Sequence, residues 1–135
     1  MPKTNPTIIA GVGMVAFGKP GASDNYDVMG ETAIREALAD SGLDFTHIKQ
    51  AYAGYVYGDS TCGQKVIYKV GMTGIPVFNV NNNCSTGSSA LFMARQAVES
   101  GLVDCALAVG FEQMQSGALG SVWNDRPSPF DDFDT

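Results

Sequence analysis

Apolar residues along this chain fall into two kinds of segment. Short runs rich in β-branched and aromatic residues alternate with stretches in which apolar residues recur every three or four positions. The first kind predicts strands and the second predicts amphipathic helices. Residues 7–15 form a β-branched run that closes among glycines and predict a first, buried strand. The turn residues of 18–25 predict a loop. Met29, Ala33, Ile34, Ala37 and Leu38 then recur at helical spacing. They predict a helix over residues 27–41, with Asp27 able to cap it and Gly42 to stop it. Residues 51–57 are aromatic-rich and predict a second strand, closed by Gly58, Asp59 and Ser60. Residues 64–70 fit a helix or a strand, because Val66, Ile67 and Val70 suit both. A third strand is predicted at residues 75–80, beginning at Ile75 and ending at Val80. Its Pro76 lacks an N–H donor and favours a sheet edge. Leu91, Ala94 and Val98 mark a helix over residues 84–100 that stops at Gly101. Residues 103–110 are apolar enough for a fourth strand inside a sheet covered on both faces. Beyond Met114 no periodicity remains.

Strands alternating with helices predict an α/β fold with a mostly parallel sheet and helices on both faces. The length of 135 residues suits one domain. Hydrophobic residues make up 44% and charged ones 16%, a globular balance. Sixteen glycines exceed the usual share of roughly 7% and predict tight turns or close backbone approach. Eight basic residues against 14 acidic ones leave a net charge of −6, half of it from Asp125 onward. No basic stripe is present to neutralise phosphates, so no nucleic-acid partner is expected. No apolar run is long enough to span a bilayer, and the polar, proline-broken start is no secretory signal. Three cysteines, an odd count, fit a reducing compartment and predict a cytoplasmic location. The Gly11-Val12-Gly13-Met14-Val15-Ala16 string has the spacing of a dinucleotide-binding turn. That motif needs a helix at its second glycine, whereas residues 17–21 read as loop, so a strand followed by a loop is expected.

Chemistry concentrates in Asn79-Val80-Asn81-Asn82-Asn83-Cys84-Ser85-Thr86-Gly87-Ser88-Ser89-Ala90. Cys84 falls where a strand gives way to a helix, and the free N–H groups there favour a thiolate. The small residues that follow allow close approach of a substrate or another segment, and the three asparagines can hold an irregular turn. On these grounds a nucleophilic cysteine and a structural one both fit Cys84. Cys62 reads as a small buried thiol or a redox partner of Cys84, and Cys105 as a core residue. Asp104 and Glu112 read as exposed loop carboxylates. Arg95 reads as solvated or paired with Glu99 at helical spacing. His47 sits in a polar connection after a helix, on the wrong edge of the sheet to serve Cys84.

The stretch from Asn81 to Gln96 resembles the sterol carrier protein-type thiolases. So do Gly54-Tyr55-Val56-Tyr57-Gly58-Asp59-Ser60-Thr61-Cys62-Gly63-Gln64, Gly71-Met72-Thr73-Gly74-Ile75-Pro76 and Gly110-Phe111-Glu112-Gln113-Met114. The resemblance runs from about Ile8 to Arg126. It implies a thiolase-like N-terminal half, with residues 1–115 as the half-domain and 116–135 as the start of an irregular, acidic loop region. It also implies that Cys84 is the nucleophile that takes the acyl group from a 3-ketoacyl-CoA. Coenzyme A thioesters would be substrates, with no covalently bound cofactor and no metal. The family's second half supplies a histidine, a second acid/base cysteine and much of the oxyanion hole. On that pattern the chain is expected to lack the last strand and the second half, and to be inactive alone. A homodimer, or a longer thiolase partner, would pair through the edge strand from Ile75 to Val80. A eukaryotic source would place the protein in peroxisomes, in lipid metabolism or transport. Two other functions share the resemblance: a non-catalytic half-thiolase interaction module, and part of a thiolase-fold lyase acting on steroid side-chain CoA esters.

Overall fold

Glycine stops and alternating burial set the elements of this chain. The structure, a computed structural model, describes residues 5–117, 120–121, 123–129 and 131–132. Helix α1 covers Tyr26–Ser41 and ends at Gly42, whose left-handed φ of 69° turns its N–H back to the carbonyls of Leu38 and Ala39. Asn25, not Asp27, is the N-cap, and it makes no side-chain capping bond. Asp27 instead pairs with Lys69 at 3.0 Å, and the ammonium beside it holds its carboxyl below the usual range. A single 3-10 turn at Phe45–His47 leads into strand β1, Gln50–Gly54. Residues 64–70, open to either reading in the sequence, belong to helix α2, Cys62–Val70. Strand β2 is Val77–Val80, helix α3 is Thr86–Glu99 and strand β3 is Ala106–Gly110.

The three strands are parallel and ordered β2-β1-β3. β1 is central, and β2 lies at an edge, where Pro76 still serves as an acceptor for the Ala51 N–H at 3.0 Å. Strand pleating divides the core in two. Ala51, Ala53, Leu107 and Val109 face Ile34 of α1 and Val66 and Ile67 of α2. Tyr52 and Ala108 face the other way, onto Ala90, Ala94 and Ala97 of α3. Helices therefore cover both faces, as the strand–helix alternation predicts. The buried stripe of α3 is built of alanines, with Leu91 half-exposed at 51%, so the predicted Leu91/Ala94/Val98 face is turned by part of a turn. Small residues let the helix lie close to the sheet, and Leu91 projects beside the contact.

The first predicted strand does not form. Residues 7–15 run beside α1 without joining the sheet, and strands need a hydrogen-bonding neighbour that no described strand offers them. Carboxylates of α1 take the place of a ladder: Val12 N–H donates to Asp40 at 2.8 Å and Met14 N–H to Glu36 at 3.1 Å. Gly11 and Gly13 lie against the backbone of Ala37 and Ala33 so closely that neither has room for a Cβ. After Gly13 the chain continues as loop to α1, which removes the dinucleotide reading. Among the described residues, no helix is long and apolar enough to cross a membrane.

Candidate active site

The C-terminal ends of the three strands and the N-terminus of α3 meet at one end of the sheet. In parallel α/β sheets this end carries ligand chemistry, because loops leave here and helix N-termini point into it. α3 reaches the sheet over two glycines. A Cβ on Gly54 would come within 2.7 Å of the Thr86 methyl, and one on Gly110 would touch the Gly87 Cα at 3.6 Å. Gly54 must therefore be glycine for the helix to dock at this height.

The turn between β2 and α3 holds Cys84. Asn83 takes a left-handed φ of 49°, a conformation asparagine tolerates better than most residues. The Asn81 side chain accepts the Asn83 N–H at 3.2 Å, and Asn82 Nδ2 donates to the Ser89 hydroxyl at 2.9 Å. The asparagines thus hold the irregular turn, as their sequence predicts. Cys84 is exposed, with its Sγ 3.7 Å from Asn83 Oδ1. It stands two residues ahead of α3 and not inside the helix, a correction to the predicted start at residue 84. Ser85 is the N-cap but does not cap: its hydroxyl donates to the Asn82 carbonyl at 2.8 Å. Ser85 thus gives the first N–H groups of α3 no side-chain acceptor, and the Thr86 N–H turns back to the Asn83 carbonyl at 3.2 Å.

Cys62 is buried at the start of α2, which matches the structural reading. The Tyr26 phenol is pushed up to about 12, first by its hydrogen bond with the Cys62 thiol and then by burial. Cys105 is half-buried and precedes β3 instead of lying within it; burial pushes its thiol up. His47 is exposed in the 3-10 turn ahead of β1 and bonds the Asp44 carbonyl through Nδ1 at 3.1 Å. Cys84 follows the end of a parallel neighbour, so the two lie at opposite ends of the sheet. Arg95 pairs with Glu99 at 2.7 Å, and Asp104 is an exposed carboxylate, both as expected.

Glu112 corrects the sequence reading. Instead of a free loop carboxylate it is half-buried and accepts the N–H groups of Val56 at 2.9 Å and Tyr57 at 3.2 Å. It ties the exit of β3 to the exit of β1, beneath a stack in which Phe111 lies between Tyr26 at 5.4 Å and Tyr55 at 5.2 Å. The available signal was position: an acid two residues past a buried strand sits where exit loops need acceptors. Asn79 was missed in the same way. Its side chain accepts the Gly63 N–H at 2.8 Å and donates to Gln64 at 2.8 Å, joining β2 to α2.

Residues 7–124 match the family model described as Thiolase, N-terminal domain. The chain is 54% identical over 125 residues to sterol carrier protein 2 of Gallus gallus, covering 91% of this chain and 23% of that protein. Identity to non-specific lipid-transfer protein-like 2 of Caenorhabditis elegans is 44% over 135 residues, 98% of this chain and 32% of the relative. Benzoylsuccinyl-CoA thiolase subunit BbsB of Thauera aromatica is 39% identical over 106 residues, 77% of this chain and 27% of that subunit. Among solved structures, 3-oxoacyl-[acyl-carrier-protein] synthase III from Aquifex aeolicus superposes with a TM-score of 0.62 at 21% identity. The match covers 70% of this chain and 32% of the synthase, and it bears on the fold. The chain thus spans between a fifth and a third of the length of these relatives.

Proposed function

Because the chain belongs to the thiolase family, its matched residues forming the N-terminal domain, we propose that it carries the nucleophile of an acyltransferase acting on acyl-CoA thioesters. Cys84 is that nucleophile. The observation that carries the reading is the setting of this one exposed cysteine, on a tight turn before an uncapped helix N-terminus at the C-terminal end of a parallel sheet. With a 3-ketoacyl-CoA, the Cys84 thiolate attacks the 3-keto carbon and a carbon–sulfur bond forms. Collapse breaks the bond between the α- and β-carbons, and acetyl-CoA leaves once its α-carbon takes up a proton. A second CoA thiol then attacks the Cys84 thioester, releasing the shortened acyl-CoA and returning the thiol. Backbone N–H groups at the start of α3 that the Ser85 cap leaves without a side-chain acceptor would stabilise a developing oxyanion.

The proton that the α-carbon takes up requires a general acid, which contributes about 10²–10⁴ in rate. His47 lies at the far end of the sheet and Cys62 is buried against Tyr26, so neither serves. On the thiolase resemblance this group comes from the family's second half. The names of the sterol carrier and lipid-transfer relatives favour lipid-derived acyl groups. β2, paired on one side only, is the edge through which a homodimer would form.

Acetyl-CoA labelling tests the reading. Cys84 gains one acetyl group, removable by hydroxylamine, and Cys84→Ala gains none. The 135-residue polypeptide by itself is slowly acylated but does not turn over acetoacetyl-CoA with free CoA. Acetylation at Cys62 or Cys105 in place of Cys84 sinks the assignment, and steady turnover abolished by Cys84→Ala shows an acid/base group within these residues.

A further inference from the structure

Thr86 is the buried polar side chain among the described residues, with 5% of its surface exposed, and it stands two residues after the thiol. Its hydroxyl accepts the Asn82 N–H at 2.8 Å. An N–H can only donate, so the hydroxyl proton is free for another acceptor, and it goes to the Asn83 carbonyl. The Thr86 N–H reaches the same carbonyl at 3.2 Å. One side chain therefore bridges the Asn82 N–H and the Asn83 carbonyl, closing the backbone from Asn82 to Thr86 around the cysteine. The Thr86 methyl anchors this ring to the sheet. It faces Gly54 at the end of β1, in the space that a Cβ there would occupy.

Nothing else in the turn does both jobs. Ser85 bonds the Asn82 carbonyl from the exposed side, and the Asn82–Ser89 bond is exposed to competing water. The left-handed Asn83 costs energy and persists only where its surroundings hold it. Removing the Thr86 hydroxyl takes the acceptor from the Asn82 N–H and the donor from the Asn83 carbonyl, and the turn, with both ties cut, moves. Cys84, next to Asn83, moves with it.

We propose that Thr86 is a positioning residue that holds the Cys84 thiol in its attacking position, through its hydroxyl and not through its bulk. The inference rests on the reading of Cys84 as nucleophile and goes beyond it by assigning a second side chain to the reaction. Thr86 touches neither the acyl group nor CoA in this role. Its effect falls on the rate of acyl transfer and leaves substrate affinity alone.

The test measures acetylation of Cys84 by peptide mass spectrometry over a range of acetyl-CoA concentrations, in the full chain and in two variants. Thr86→Val keeps the shape and removes the hydroxyl; Thr86→Ser keeps the hydroxyl and removes the methyl. Iodoacetamide labelling of Cys62 and Cys105 in the same samples reports on the fold. Misplacing a reacting group by about 1 Å can cost ~10²-fold, so Thr86→Val is expected to lower the maximal acetylation rate by about tenfold or more. The half-saturating concentration stays within about twofold, the pattern of an interaction that serves the chemical step and not binding. Thr86→Ser recovers most of the rate, and labelling of Cys62 and Cys105 does not change. If Thr86→Val fails to fold, Thr86→Ala carries the same comparison with Thr86→Ser. Wild-type acetylation in Thr86→Val overturns the proposal. So does a Thr86→Ser rate as low as that of Thr86→Val, and so does faster labelling of Cys62 and Cys105 in step with the loss at Cys84. Each of those results leaves Cys84 as the nucleophile; an unacetylated Cys84 in the unaltered chain removes both readings together.

Discussion

The three cysteines share one side chain and differ only in surroundings, which makes them a direct probe of the site. Cys84 is exposed at its turn, Cys62 is buried at the start of α2, and Cys105 is half-buried ahead of β3. Burial pushes the Cys105 thiol up, nearby Asp104 adds to the rise, and Lys49 opposes it. The thiolate is the species that reacts, so a raised thiol begins to react only at higher pH. Iodoacetamide labelling followed by peptide mass spectrometry should find Cys84 modified first in the folded protein. The Cys105 profile should be displaced to higher pH, and Cys62 should remain protected until unfolding. Labelling of Cys62 or Cys105 ahead of Cys84 contradicts the site as described. Cys84 was legible in the sequence because its neighbours are: three asparagines, then small residues, at a strand-to-helix junction. Glu112 was not, because its role depends on Val56 and Tyr57, more than 50 positions away, and no local pattern carries that pairing. Thr86 was hidden for the opposite reason. It lies inside the informative string, but only burial separates its hydroxyl from those of Ser85, Ser88 and Ser89.

At the scale of elements, α1 and α2 pack against each other where Gly30 meets Val66. Two rules make opposite predictions for Gly30→Ala. Helix propensity favours alanine by about 0.8–1.0 kcal/mol in a helix interior. Packing opposes it, since a Cβ on Gly30 would lie 2.5 Å from one Val66 methyl and 3.1 Å from the other. Val66 is fully buried between α1 and the sheet and cannot swing aside, and overpacking of this kind costs about 1–3 kcal/mol. Packing should win. Gly30→Ala is expected to lower the urea midpoint, and its penalty should shrink in a Val66→Ala background where the methyls are gone. An unchanged penalty in that background, or a stabilised single variant, shows that the helices meet elsewhere. The same contrast explains what the hydrophobic pattern revealed. α1 and α3 carry periodicity over several turns and end at glycines with left-handed φ, so both were legible. α2 has nine residues, too few for period 3.6 to be told from period 2. The β-branched run at residues 7–15 has a strand's composition, but a strand is defined by its neighbour, and among the described residues it has none.

For the molecule as a whole, the exposed apolar surface decides what the polypeptide does when made alone. The described sheet has two outer edges, with β2 and β3 each paired only to β1. Beside it, Ile8, Ile9, Val12, Met14 and Phe17 project from the segment along α1, and Phe17 is 98% exposed. On the other face Leu91 and Phe92 stand out from α3. Unpaired strand edges and contiguous apolar surface are both association sites. The 135-residue polypeptide is therefore expected to self-associate, with a mass by light scattering well above 14.2 kDa and binding of a hydrophobic dye. The edge strand allows the source to be located. Phe78 lies on β2, 42% exposed and stacked on Tyr52 at 5.2 Å, where a partner strand would run alongside. A lysine on an edge strand opposes such pairing, since bringing two chains together there buries its charge. Phe78→Lys should shift the mass toward the monomer, while Val12→Lys, placed on the segment along α1, should reduce dye binding and leave the pairing intact. The reverse assignment, with Val12→Lys dissociating the assembly and Phe78→Lys leaving it unchanged, moves the contact from the sheet edge to the N-terminal segment. A compact monomer with no dye binding removes the association altogether.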